Sequence, residues 1–202
     1  MQDNTVVLPS LPSPLRWRGA PIHWAVDAEH ELTMSAGPRT DWFIDPAGTA
    51  TVLDAPALLM AVHEPSLLKA CVTVDYAATF DAGVLAVYQS DDVWAKLCLE
   101  LSPQGRLTVV SVVTKGTSDD CNSVSVAGKS IYLRIARLER AYAFHYSEDG
   151  HLWNLVRYFT LGERRDAEIG FLVQSPTGEG CGARFSQIAY LPQKLGSLRS
   201  GE

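Results

Sequence analysis

Val93–Thr114, VWAKLCLELSPQGRLTVVSVVT, reads as one β-hairpin whose two faces can be sorted residue by residue. Ser102-Pro103-Gln104-Gly105 is its turn: proline presets φ at the second position and glycine accepts a positive φ at the fourth. A three-residue loop with a glycine bulge sets Ser102 opposite Arg106, and hence Glu100 opposite Thr108 and Lys96 opposite Val112. Side chains alternate along a strand. Ala95, Leu97, Leu99 and Leu101 therefore share one face with Leu107, Val109, Ser111 and Val113. The other face carries Trp94, Lys96, Cys98 and Glu100 beside Thr108, Val110, Val112 and Thr114. One side is the core of a sandwich. The other joins an aromatic plate, an ammonium and a carboxylate.

Outward from this hairpin, turn signals recur at short intervals and helical periodicity is almost absent. Strands are expected at Glu31–Ala36, Leu58–Ala61, Lys69–Ala77, Ala82–Gln89, Ser130–Leu138, Ala141–Ser147, Trp153–Phe159, Ala167–Gln174 and Ala183–Leu191, besides the two already read. So many short strands predict an all-β fold of two packed antiparallel sheets. Pro56 opens either a strand or a short helical piece near Ala55–Met60. In the second readable unit Leu133, Phe144, Trp153 and Leu155 face the core, which leaves Arg134 and His145 for the open face. The 202 residues suit one domain, spanning residues 15–192 after a Pro-Ser-rich arm at 1–14 and before a tail at 193–202.

A hydrophobic fraction of 47% is ample for one core, and a net charge of −6 without a long basic run argues against nucleic-acid binding. No stretch approaches the roughly 18 to 20 apolar residues that cross a bilayer, and MQDNTVVLPSLPSPL lacks the regions of a signal peptide. No membrane partner is therefore expected, and the default location is cytoplasmic. Cys71 and Cys98 read as small buried residues, while Cys121 and Cys181 lie in loop-like contexts and could approach each other.

Three constellations could carry chemistry. Trp94, Lys96 and Glu100 suit a pyranose, with the ring stacking on its C–H face, or else form a sheet edge and a surface ion pair. The stretch Thr114–Ser123 offers Asp119, Asp120 and Asn122 as hard oxygen ligands for Ca²⁺, or as caps of a solvated turn. No other cofactor is expected, and no Cys/His spacing resembles a zinc site. His145 suits a ligand hydroxyl or a structural hydrogen bond. Trp42, in the acidic-aromatic loop Asp41-Trp42-Phe43, is either a lid over the open face or a plug for the core. Glycoside hydrolysis needs paired carboxylates, and the strand Trp94–Glu100 holds one, so no catalytic residue is assigned.

The runs FDAGVLAVYQSDDVWAKLCLE, VVSVVTKGTSDDCNS, YLRIARLERAYAFHYSEDGHLW and GFLVQSPTGEGCGARFSQIAY, with TDWFIDP at Thr40–Pro46, resemble a family of concanavalin A-like proteins of unknown function. It is the family whose yeast member is called a regulator of enolase. The resemblance implies a two-sheet jelly-roll sandwich of the lectin/glucanase type over about Leu15–Pro192. It also marks Asp41, Trp42, Asp81, Trp94, Lys96, Glu100, Ser118, Asp119, His145 and Asp149 as motif positions. The expectation is a non-catalytic module that binds a carbohydrate or sugar phosphate on its concave sheet. Trp94 stacks on the ring; Lys96, Glu100, Arg134 and His145 hold polar groups; loops with Trp42 and Asp119 border the groove. The alternatives are a protein-interaction module regulating a metabolic enzyme and, more weakly, a glycoside-active enzyme.

Overall fold

The computed structural model describes residues 4–62, 65–163 and 166–202. Its strands run in chain order as β1 (Thr5–Val6), β2 (Leu15–Arg18), β3 (His23–Val26), β4 (Leu32–Ala36), β5 (Trp42–Ile44), β6 (Thr51–Leu53), β7 (Ala57–Val62), β8 (Ser66–Asp75) and β9 (Ala82–Ser90). They continue as β10 (Val93–Leu101), β11 (Leu107–Lys115), β12 (Thr117–Val126), β13 (Ser130–Arg137), β14 (Tyr142–Ser147), β15 (Asn154–Phe159), β16 (Ala167–Gln174) and β17 (Cys181–Leu191). An eight-stranded sheet has the order β1-β2-β7-β16-β9-β10-β11-β12, and a seven-stranded sheet the order β15-β14-β13-β8-β17-β4-β3. The pair β5-β6 stands apart as a small hairpin. This is the expected antiparallel sandwich. Among the described residues no helix is long and apolar enough to cross a membrane.

The β10–β11 register is the one the turn dictates: Lys96 faces Val112 and Glu100 faces Thr108. Gly105 takes φ 68°, and Ser102 N–H donates to the Arg106 carbonyl at 2.9 Å, which closes the loop. The inner face follows the alternation. Leu97, Leu99, Val109 and Phe171 of one sheet meet Val72, Leu133, Phe144 and Phe185 of the other in one core. Phe171 and Phe185 touch across the sandwich with ring centroids 4.9 Å apart.

Of the two readings of Pro56 the strand holds. Several other expectations change. The stretch from Thr117 to Val126, expected as a loop, is the edge strand β12. Its Asp, Asn and Ser residues disfavour strands intrinsically, but here one side of the ladder satisfies the backbone and the polar side chains meet water. Residues before Leu15 pack into the body: β1 pairs with β2, and Val6 and Leu8 are buried in the main core. A register shift between Phe144 and His145 turns Leu155 outward, into a cluster with Ala136 and Ala143. Trp153 likewise lies outside, against Arg134. All four cysteines are free, with Cys181 buried and Cys121 exposed on the β12 edge.

At Gly83 the two sheets approach too closely for a side chain. A Cβ built there would stand 2.6 Å from Val72 Cγ1 and 2.9 Å from Val74 Cγ2. Overpacking a core of this kind costs about 1–3 kcal/mol. Gly83→Ala should therefore lower stability by that amount in denaturant titration, and an unchanged midpoint would show that the sheets can part freely here.

Candidate functional site

The outer face of the eight-stranded sheet is not uniformly open. The β5–β6 hairpin lies across its Trp94 end and buries a second apolar cluster of Trp42, Trp94, Cys98, Val84, Val110 and Leu172. Trp42 packs edge-on against Trp94, centroids 5.8 Å apart, and its indole Nε1 donates to the Ala55 carbonyl at 3.0 Å. The Ile44 N–H donates to Ser118 Oγ at 2.9 Å. Both indoles are wholly buried. Trp42 is thus the lid of the two readings open to it, and the surface it covers includes Trp94. The expected stacking plate offers no free ring face, because the lid has already taken it.

At the rim of this lid the chain builds a polar cluster. Lys96 is only 2% exposed; its Nζ donates to Asp41 Oδ1 at 2.9 Å and to Gln174 Oε1 at 2.8 Å. Asp41 is held in turn, since its Oδ1 accepts the Trp42 N–H at 2.7 Å and its N–H donates to Asp54 Oδ1 at 3.0 Å. Burial alone pushes the Lys96 ammonium down, but the Asp41 carboxylate, with Cys98 and Glu100 behind it, carries it above its ordinary value. Lys96 therefore stays charged.

Glu100 continues the cluster toward the β10–β11 turn, and Asp120 extends it sideways onto β12. Lys96 and Asp120 both pair with Val112, one from each side, so their side chains share the outer face. Burial, then the charges of Asp120 and Asp41, outweigh Lys96 and push the Glu100 carboxyl up to about 8. Asp120 is raised too, first by burial. At neutral pH Glu100 holds its proton and can donate, while Asp120 and Asn122, exposed on β12 level with Lys96 and Cys98, can accept. Such an alternation of donor and acceptor on a partly dry surface matches the hydroxyls of a polyol better than it matches a metal.

The remaining expected site residues lie elsewhere. Arg134 and His145 belong to β13 and β14 of the seven-stranded sheet, and face outward from it. The whole sandwich separates them from Lys96 and Glu100, so the structure does not bring these four together. Asp119 alternates with Asp120 along β12 and points the other way, to an ion pair with Arg157 of β15 at 2.8 Å. That clasps the two sheet edges instead of bordering the groove. The same alternation dismantles the Asp119, Asp120 and Asn122 calcium set. Asp27, Glu29 and Glu31 do converge, but Arg184 pairs with Asp27 and Glu31 and Asp27 caps two backbone amides. A cleft of about 560 Å³, lined by Arg140, Tyr158 and Glu163 among others, opens beside the β13–β14 turn, away from the Lys96–Glu100 strip.

Asp120, Gln174 and the contact of Asp41 with Lys96 were not read from sequence as one site. A signal existed for Gln174, which follows Leu172 in outward parity at the end of its strand. Asp120 needed β12 to be seen as a strand.

Glu100 keeps its proton to about pH 8 when folded and releases it near its ordinary value of 4.5 when unfolded. Its stabilising contribution is complete below 4.5 and is lost as pH rises through 8. Glu100→Gln should therefore gain in melting temperature over the parent across that window, and a difference independent of pH would contradict the assignment.

Comparison with known proteins agrees with this architecture. A yeast protein described as functionally unknown, from Saccharomyces cerevisiae, superposes with a TM-score of 0.81 at 22% identity, over 89% of this chain and 96% of its own. The GH43 protein BlXynB of Bacillus licheniformis gives 0.68 at 15% identity, over 88% of this chain but only 37% of that one. The carbohydrate binding module CBM66 of Bacillus subtilis gives 0.54 at 11%, over 86% and 94%. At these identities the likeness is one of fold. No curated protein matches. A family model, described as a protein of unknown function (DUF1349), matches residues 17–193, and the chain belongs to that family.

Proposed function

We propose that this protein binds a carbohydrate on the outer face of its eight-stranded sheet, in the strip between the β5–β6 lid and the β10–β11 turn. Glu100 donates to a ligand hydroxyl, Asp120 and Asn122 accept, and Lys96 with Asp41 and Gln174 forms the fixed floor. The observation that carries the reading is a protonated, half-buried Glu100 on the same outer face as the exposed Asp120, whose charge it feels. The likeness of the fold to a carbohydrate binding module and to sugar-active enzymes adds support. Without a free tryptophan face, affinity rests on hydrogen bonds. A hydroxyl-matched site of this kind rejects analogues that lack the hydroxyl, because its own polar groups are then left unpaired.

A second reading, a module that grips a metabolic enzyme, draws on the edge strand β3, where Ile22 and Trp24 stand exposed beside the free side of the ladder.

A thermal-shift and calorimetry panel of neutral mono- and oligosaccharides near pH 6.5 separates the two. A sugar at about a hundredfold excess over its Kd adds roughly 2.7 kcal/mol of stability. That gain should disappear in Asp120→Ala, with the unliganded melt unchanged. Silence across the panel, or full affinity in the Asp120→Ala, Glu100→Ala double variant, would overturn the carbohydrate reading. Stoichiometric capture of one enzyme, weakened by Trp24→Ala, would then favour the second.

A further inference from the structure

On the opposite face of the molecule three basic side chains stand in one row. Arg134 of β13 pairs with Lys69 of β8 on one side and with His145 of β14 on the other, so all three point outward together. Directly opposed like charges weaken a sheet. Among the described residues none of the three is paired with a carboxylate. Arg134 is nevertheless 5% exposed and His145 0%. Burial, opposed by a hydrogen bond to the Leu198 carbonyl, lowers the imidazole to about 4 with help from the Arg134 charge. The buried Arg134 guanidinium thus has no carboxylate partner among the described residues, with a neutral imidazole on one side and the partly exposed Lys69 ammonium on the other.

The segment 193–202 covers the Arg134 and His145 end of this row. Arg134 Nη2 donates to the Gly201 carbonyl at 2.8 Å, and His145 Nε2 lies 2.9 Å from the Leu198 carbonyl. Leu195 and Leu198 rest on Leu67, Ala136, Ala143 and Leu155. The segment closes on itself: Gly196 and Ser197 N–H groups donate to the Glu202 carbonyl, and Gly201 N–H to that of Ser197. Beyond Gln193 no backbone hydrogen bond ties it to either sheet among the described residues. A further polar tether is the exposed pair Lys194–Glu139, of a kind that contributes little.

Two neutral carbonyl oxygens therefore occupy the place where the oxygens of an anion would best meet this row. They leave it incompletely satisfied, since the Arg134 Nε donor is buried without a hydrogen-bond partner, as is His145 Nδ1, which donates only when the imidazole is protonated. A guanidinium matches planar or tetrahedral oxyanions with two parallel donors. The Trp153 ring, 4.0 Å from the guanidinium carbon, supplies an apolar wall beside it. We propose that Lys69, Arg134 and His145 form an anion site for the phosphate or carboxylate of a small ligand, and that residues 195–201 are a displaceable plug in it. Ligand and plug compete for the same donors, so occupancy of one releases the other.

The site shares no residue with the carbohydrate strip, so either can fail without the other. Hydrogen exchange on the unaltered protein tests it, with inorganic phosphate, glucose 6-phosphate, glucuronate and neutral glucose compared at matched ionic strength. The expected result is about tenfold faster amide exchange across 195–201 with at least one anion, and none with glucose. The response should weaken several-fold in Lys69→Gln, whose side chain is partly exposed and safe to change, and persist in Asp120→Ala. A response to phosphates alone or to glucuronate alone identifies the anion class. Unchanged exchange with every anion, or an equal response to glucose, overturns the proposal.

Discussion

Lys96 keeps its charge inside the protein only while Asp41 and Gln174 hold its ammonium group, and the layout of the eight-stranded sheet's outer face follows from that contact. An ammonium removed from water loses several kcal/mol of hydration unless a partner and further hydrogen bonds replace it. Asp41 is that partner, and it stands one residue before Trp42. Pairing with Lys96 therefore sets the start of the β5–β6 hairpin, the hairpin lays Trp42 on Trp94, and the lid closes one end of the face. What stays open is the end occupied by Glu100, Asp120 and Asn122. Burial keeps the proton on Glu100, with Asp120 and Asp41 adding to it against the opposing charge of Lys96. The buried ion pair thus shapes the strip, while burial sets the hydrogen-bonding character of Glu100.

The two outer faces solve the same problem in different ways. A sandwich of this size has more sheet surface than its inner core can use, and each outer face here is partly covered. On the eight-stranded sheet the cover is a hairpin anchored by a buried salt bridge and by the indole of Trp42. On the seven-stranded sheet it is a loop laid over Arg134 and His145, which have no carboxylate partner among the described residues. The first cover is bound to the body through several hydrogen bonds from separate elements; the second relies on two carbonyls and two leucines. Differences in local opening free energy track such differences in anchoring.

Much of the fold was legible because strand alternation and turn chemistry are local. The β10–β11 register, the inward set of Leu97, Leu99 and Val109, and the outward direction of Arg134 and His145 all follow from period-two reading. Three features were not local. The polar edge strand β12 lacks the β-branched and aromatic residues that announce strands, and it exists because β11 offers it a ladder. Trp94 reads as exposed because its own strand puts it outside, and only a hairpin some fifty positions earlier covers it. Arg134 and His145 read as companions of Lys96 because both faces were outward, yet alternation along a strand cannot say to which sheet that strand belongs. Asp119 and Asp120 show the same limit at close range: treated as a loop they converge, and as a strand they diverge.

The most direct measurement is a double-mutant cycle on Asp41 and Lys96, using Asp41→Asn, Lys96→Met and the combined variant in denaturant unfolding. A pair that anchors the lid should show a coupling energy of about 2 kcal/mol or more, with each single change costing more than its share of the double. Coupling within about 0.5 kcal/mol of zero would mean that the lid is held by its tryptophan alone. The buried ion pair would then not be the constraint on which the face depends.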